Sequence, residues 1–192
     1  MKIYLMRHGE TDYNKKDLIQ GMVDIPLNET GEEQSVAAHK KIEKISFDAI
    51  YASPLCRAIR TGELATGLNP NTFIVDERIR EIAFGEAEAQ PKCQIKDTMR
   101  KFFDEPQNYE PGTGADSFSE LSDRVTGFLK ELVEKPYENV LVLSHGASIA
   151  SMLLFICRKE LKDFWSFVLT NCCVIEIEYI NGKFKLIQID NS

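Results

Sequence analysis

The sequence predicts an α/β protein, a three-layer α/β/α sandwich around a mostly parallel sheet, and three observations carry that expectation. Short apolar runs rich in β-branched or aromatic residues at 1–7, 48–52 and 139–144 each end in a turn-like exit, as buried strands do. Helical patterns over 30–45, 54–66 and 117–135 alternate with them, and a β-α-β-α order implies right-handed crossovers that cover both faces of the sheet. Near the C-terminus CVIEIEY alternates, meets Asn181-Gly182 and returns as KFKLIQI, which reads as a hairpin through a type I′ turn and adds an antiparallel edge.

Each helical pattern has its own start or stop. The 30–45 segment carries Val36, Ile42 and Ile45 as part of an apolar stripe, and 54–66 has Pro54 near its first turn and Gly67 as its stop. Over 117–135, Ser117 and Glu120 form a capping box, and Leu121, Val125, Phe128, Leu129, Leu132 and Val133 recur at helical spacing. The stretch 85–115 differs: it is polar, broken by Pro91, Pro106, Pro111, Gly112 and Gly114, with a modest helical patch at 95–103. It reads as a partly helical, lid-like excursion over the sheet.

With 192 residues, 43% hydrophobic and 28% charged, the chain is expected to form one globular domain. A formal charge of -7 argues against nucleic-acid or anionic-membrane binding through bulk charge, so an anionic ligand needs a local cationic cluster. The longest apolar stretch, 149–157, is too short for a membrane span, and MKIYLMRHGE lacks the apolar core of a signal peptide. A cytoplasmic protein is expected. Cys56, Cys93, Cys157, Cys172 and Cys173 contain no CxxC spacing and read as reduced thiols.

Two histidines share one local grammar. IYLM runs into Arg7-His8-Gly9 and VLVL runs into Ser144-His145-Gly146, each at the carboxyl end of an expected strand, where open α/β sheets bind ligands. A third strand exit delivers Ser53 to Arg57. Two imidazoles and two guanidiniums then converge, a set suited to a phosphoryl group: guanidiniums bind its oxygens bidentately and a neutral imidazole attacks phosphorus. The fixed positive charge of Arg7 immediately beside His8 opposes a divalent cation, so no metal is expected. His39 reads as structural, and Ser53 and Thr61 as braces of the Arg57 helix.

In order along the chain, LMRHGETDYN, QGMVDIPLNETGEEQ, SPLCRAIRTGE, EIAFG and LSHG resemble the histidine phosphatase superfamily, in its phosphoglycerate-mutase-like branch. The resemblance implies the same three-layer fold and a phosphohistidine intermediate, with no metal or organic cofactor. It implies His8 as nucleophile, Arg7 and Arg57 as phosphate-binding arginines, His145 as the second active-site histidine and Glu81 as proton donor to the leaving oxygen. Asn14 matches a further phosphate-pocket contact, and Gln20 with Gly21 a loop near the rest of the substrate. Gly9 and Gly146 are expected to let the backbone approach phosphate. His8 should donate from one ring nitrogen to a backbone carbonyl and keep the other free.

Two departures stand out: Ala87 and Ala89 occupy places where the family often has tryptophan and glycine, and 147–150 lacks the arginine often found after the second HG. Segment 85–115 holds six carboxylates against four cations and no adjacent arginines, whereas family mutases carry a longer insertion with an arginine pair. That balance favours a phosphomonoester phosphatase acting on a small phosphorylated metabolite over a phosphoglycerate mutase or a fructose-bisphosphatase-like enzyme. A non-catalytic phosphoprotein-binding member would typically have lost the nucleophile, an arginine or the acid, and all are present here.

Overall fold

The structure, a computed structural model, describes residues 1–95 and 97–192, apart from the side chain of residue 98. In chain order the regular elements are β1 (Lys2–Arg7), α1 (Asp12–Lys15), α2 (Glu29–Ile42), β2 (Ala49–Ala52), α3 (Cys56–Thr66), β3 (Ile74–Val75), α4 (Asp97–Asp104), α5 (Phe118–Leu132), β4 (Asn139–Ser144), α6 (Gly146–Cys157), β5 (Val174–Ile180) and β6 (Lys183–Asp190). The sheet order is β3-β2-β4-β1-β5-β6. β1 to β4 run parallel, while β5 is antiparallel to β1 and β6 to β5. This is the expected mostly parallel sheet with an antiparallel edge.

Alternation along the strands sends successive side chains to opposite faces and so makes three layers. Tyr4, Met6, Ile50, Leu141 and Leu143 pack against Ala38 and Ile42 of α2 and Ala58 and Ala65 of α3. Ile3, Leu5, Val140 and Val142 meet Leu121, Val125 and Phe128 of α5 and Ile149, Met152 and Leu153 of α6. The Ser117–Glu120 capping box forms, and Gly67 ends α3 at φ +71°. Asn181 and Gly182 both take positive φ, 51° and 73°, as a type I′ turn requires.

The apolar stripe expected on the first helix is corrected in part. Val36 is 55% exposed, and the buried face of α2 is Gly31, Ser35, Ala38 and Ile42. Small residues face inward because the helix presses on the chain leaving β1: a Cβ on Gly31 would collide with the Glu10 backbone. Periodicity also did not announce α6, because nine of its twelve residues are buried and no polar face remains to set a period. The two-residue β3 is too short to leave a pattern.

Segment 85–115 is anchored by an aromatic cluster. Phe102 of α4 is fully buried, stacks on Phe118 at 4.7 Å and meets Phe84 edge-on at 4.9 Å and Trp165 at 5.5 Å. The Trp165 Nε1–H donates to the Phe102 carbonyl at 2.9 Å. Residue 96 of the expected helical patch lies outside the described residues. Phe102→Ala should cost about 3–5 kcal/mol through lost burial and the cavity left behind. The urea midpoint should fall accordingly at unchanged m-value.

Candidate active site

β1 and β4 are neighbours in parallel register, with Arg7 opposite Ser144, so the next residues, His8 and His145, leave the sheet side by side. Their ring centroids lie 5.1 Å apart with planes tilted by 55°. Both rings are buried. His8 Nδ1 is 2.7 Å from the Gly9 carbonyl oxygen. A carbonyl can only accept, so Nδ1 carries the proton and Nε2 keeps its lone pair, as expected.

Burial pushes both imidazoles well below the ordinary histidine value, and the nearby Arg57 and Arg7 charges push the same way. Both rings are therefore neutral at neutral pH. Arg57 has no exposed surface. Its Nη1 donates to the Val23 carbonyl at 2.8 Å and its Nη2 to the Gly21 carbonyl at 2.7 Å. The Gln20 amide is satisfied with its oxygen 2.9 Å from Arg57 Nε and 3.3 Å from Nη1 and its nitrogen donating to Thr11 Oγ1 at 2.6 Å. Of the five guanidinium protons, then, only one on Nη2 is left for a ligand, fewer than bidentate phosphate recognition requires. Arg7 Nη1 donates to the Leu169 carbonyl, and its buried Nε has no partner among the described residues.

Glu81, 7% exposed, sits against the first turn of α6. Its Oε1 accepts from the backbone N–H groups of Ile82 at 3.0 Å and Ser148 at 3.2 Å, and its Oε2 accepts from that of Ala147 at 3.2 Å. The backbone beneath it is clamped by Arg124, whose guanidinium donates to the carbonyls of Arg78, Arg80 and Glu81 at 2.8, 2.6 and 3.0 Å. Burial brings that guanidinium down to about 10.

Arg7, Asn14, Gln20, Glu81 and Gly146 line one cavity of about 300 Å³. His8, His145 and Arg57 are not among its lining residues; they are buried behind it. Asn14 Oδ1 accepts from the Thr11 N–H at 3.2 Å. Gly9 and Gly21 do not line the cavity either. A Cβ on Gly9 would collide with the Gly31 carbonyl, and one on Gly21 with Glu88 and the Ile82 carbonyl, so both glycines serve close packing of protein on protein. The outer wall is Leu18, Ile19, Phe84, Phe103, Trp165, Phe167 and Leu169 with Lys92. A larger groove of about 830 Å³ lies between α5, α6 and the β5–β6 hairpin and holds none of these groups.

Thr61 braces as expected, accepting from Gly9 N–H at 2.9 Å and donating to the Arg57 carbonyl at 2.8 Å. His39 is structural, its Nδ1 2.8 Å from the Ala65 carbonyl. Ser53 does more than brace a helix: its Oγ is 2.6 Å from His145 Nε2. Sequence reasoning did not single out Arg124 or Ser148. Arg124 follows an amphipathic spacing that says nothing of what its guanidinium reaches, and Ser148 falls in a helix without a polar face.

Comparison with known proteins agrees with this geometry. The family model described as the histidine phosphatase superfamily (branch 1) matches residues 3–192. The uncharacterized phosphatase PhoE of Bacillus subtilis is 32% identical over 185 residues, covering 96% of this chain and 91% of that protein. The adenosylcobalamin/alpha-ribazole phosphatase of Escherichia coli is 28% identical over 202 residues, covering 100% and 96%. A mutant phosphoserine phosphatase of Entamoeba histolytica, solved in complex with phosphoserine, superposes with a TM-score of 0.86 at 27% identity, over 99% of this chain and 96% of that one. The strand-exit histidines, the buried arginines and the match along nearly the whole chain place this protein in the histidine phosphatase superfamily, branch 1.

Proposed function

We propose that His8 carries the phosphoryl group in a two-step hydrolysis of a phosphomonoester, with Glu81 as the proton donor and then acceptor. The protein is a phosphatase for a small phosphorylated metabolite. The observation that carries the mechanism is the His8 ring, neutral, with Nδ1 tied to the Gly9 carbonyl and Nε2 free beside Arg7, Arg57 and His145.

In the first step the Nε2 lone pair attacks phosphorus in line, the P–O ester bond breaks, and a proton from Glu81 turns the leaving alkoxide into the alcohol. Oε2 is the oxygen suited to that transfer, because it accepts from one backbone N–H where Oε1 accepts from two. Arg7, the last Nη2 proton of Arg57 and His145 stabilise the charge spread over the equatorial oxygens. In the second step water attacks the phosphohistidine, Glu81 takes its proton, the P–N bond breaks, and orthophosphate leaves with His8 neutral again. Asn14 serves the phosphate end. Gln20 and Gly21 serve indirectly, by holding Arg57.

The outer wall supports hydrolysis over transfer to a second phosphate site. Among the described residues its one cation is Lys92, whose Nζ is 2.8 Å from Asp17 Oδ1. A phosphoglycerate brings a carboxylate and a second phosphate that this apolar, aromatic wall does not match. The continuous sheet supports reading the whole chain as one catalytic unit, with 85–115 supplying Lys92 and Phe103 to its outer wall. Cysteines without a pairing pattern support a cytoplasmic setting.

A panel of phosphomonoesters assayed for released phosphate in the presence of EDTA tests the activity; no release from any of them would overturn it. Quenching during turnover should trap acid-labile, alkali-stable phosphate on His8, absent in His8→Ala, and full turnover by that variant would remove His8 as nucleophile. Glu81→Gln should slow cleavage of alkyl phosphates by roughly 10²–10⁴ and matter far less for p-nitrophenyl phosphate, whose leaving group needs little protonation. Equal losses on both would reduce Glu81 to a structural role.

Both active-site imidazoles are pushed down on folding, so below the ordinary value of 6.5 the unfolded chain binds protons that the folded chain refuses. Their contribution is full above that value and is lost as the pH falls through their folded values. Tm should drop in that window, and His8→Asn should flatten the drop; an unchanged slope would show that His8 does not sit neutral in the native state.

A further inference from the structure

We propose that Ser53 is a positioning residue that fixes the tautomer of His145, donating its hydroxyl proton to Nε2 so that Nδ1 carries the N–H offered to the transferring phosphoryl group. The offer to a phosphoryl group rests on the phosphatase reading above; the tautomer does not.

A neutral imidazole has one N–H and one lone pair, and either nitrogen can hold the proton. Ser53 and His145 are both fully buried, and Ser53 Oγ lies 2.6 Å from His145 Nε2. The Ser53 oxygen already accepts from the Leu55 backbone N–H at 3.3 Å. For its hydroxyl proton no acceptor other than His145 Nε2 is found among the described residues. If Ser53 donates, the chain closes: Leu55 N–H to Ser53 Oγ, Ser53 O–H to Nε2, and one N–H left on Nδ1.

The reverse assignment fails at Ser53: with the proton on Nε2, the Ser53 hydroxyl proton is buried without an acceptor. Nδ1 has no protein partner among the described residues in either assignment. The neighbourhood supplies an independent sign. Among the described residues the buried side-chain nitrogens without a protein partner are His145 Nδ1, Arg7 Nε and Arg124 Nε, and of these Arg7 Nε also lies on the chain neighbour of His8. Arg7 Nε is a donor by constitution; a donor at Nδ1 completes a pair of N–H groups of the kind that anionic oxygens require, and a lone pair there would repel them.

The two histidines then hold the same tautomer and present opposite ends of it. In His8 the Nδ1 proton is tied to the Gly9 carbonyl and the Nε2 lone pair is left to react. In His145 the Nε2 lone pair is tied to Ser53 and the Nδ1 proton is left to bind. One ring becomes a nucleophile and the other a neutral hydrogen-bond donor through the choice of which nitrogen the protein occupies.

Long-range ¹H–¹⁵N spectra of the full chain, labelled with ¹⁵N-histidine and assigned with the single-histidine variants, read the tautomer directly. The wild type should give a protonated Nδ1 and a bare Nε2 for His145, and Ser53→Ala should move the ring toward the Nε2–H form. Ser53→Ala should also lower kcat/KM by about 10–100-fold, a typical loss for an outer partner of an active-site histidine. The factor should be similar for p-nitrophenyl and alkyl phosphates, because the group served is the phosphoryl and not the leaving oxygen. Orthovanadate inhibition should weaken with it, and Ser53→Thr, which keeps the hydroxyl, should recover most of both.

An Nε2–H signal for His145 in the wild type overturns the proposal. So does a Ser53→Ala protein with unchanged tautomer or unchanged orthovanadate affinity. If Ser53→Ala does not fold, the wild-type spectrum and the Ser53→Thr kinetics decide. A wild type that releases no phosphate from any ester removes the phosphatase reading, and the spectrum still decides the tautomer.

Discussion

Arg57 is a guanidinium with no exposed surface, and the hydrogen-bond partners described for it are two backbone carbonyls and the Gln20 amide oxygen. Carrying a charge out of water is costly; here dipoles supply the hydrogen bonds and the nearby carboxylates of Glu81 and Asp24 offset part of the charge. The 20–23 loop has to run over α3 so that its oxygens face inward. Burial holds both imidazoles in their neutral forms, and the Arg57 charge pushes the same way.

The position of the chemistry follows from strand adjacency. Parallel pairing of β1 with β4 sets Arg7 opposite Ser144 and delivers two imidazoles to one level although 136 residues lie between them in the chain. The start of α6 does the same for Glu81, since the helix offers unpaired backbone N–H groups where the carboxylate arrives. α6 is enclosed on nearly every side. Glu81 and His145 are thus fixed to the same rigid element.

Much of this was legible in the sequence because it is written in short local patterns. The strand runs, the Ser117–Glu120 cap, the Asn181-Gly182 turn and the RHG and SHG exits each depend on a few neighbouring residues. The rest depends on contacts between distant segments. Val36 belongs to an apolar spacing, yet the protein buries Gly31 and Ser35 because of what presses on them. Gly9 and Gly21 sit in motifs that suggest contact with phosphate, while their missing side chains make room for other parts of the chain. Ser53 stands beside the Arg57 helix in sequence and beside His145 in space. Arg124 holds the backbone of Glu81 from 43 positions away.

Beyond Leu18, Ile19 and Phe84, the outer wall of the cavity comes from two stretches that contribute no strand to the sheet, Lys92 and Phe103 from one and Trp165, Phe167 and Leu169 from the other. The reacting groups are held by strand ends and by α6. On the proposed function, substituting or resizing those two stretches changes the choice of alcohol without disturbing the register that aligns the histidines. A scaffold divided in this way diversifies readily: one inherited reaction centre, many inherited appetites.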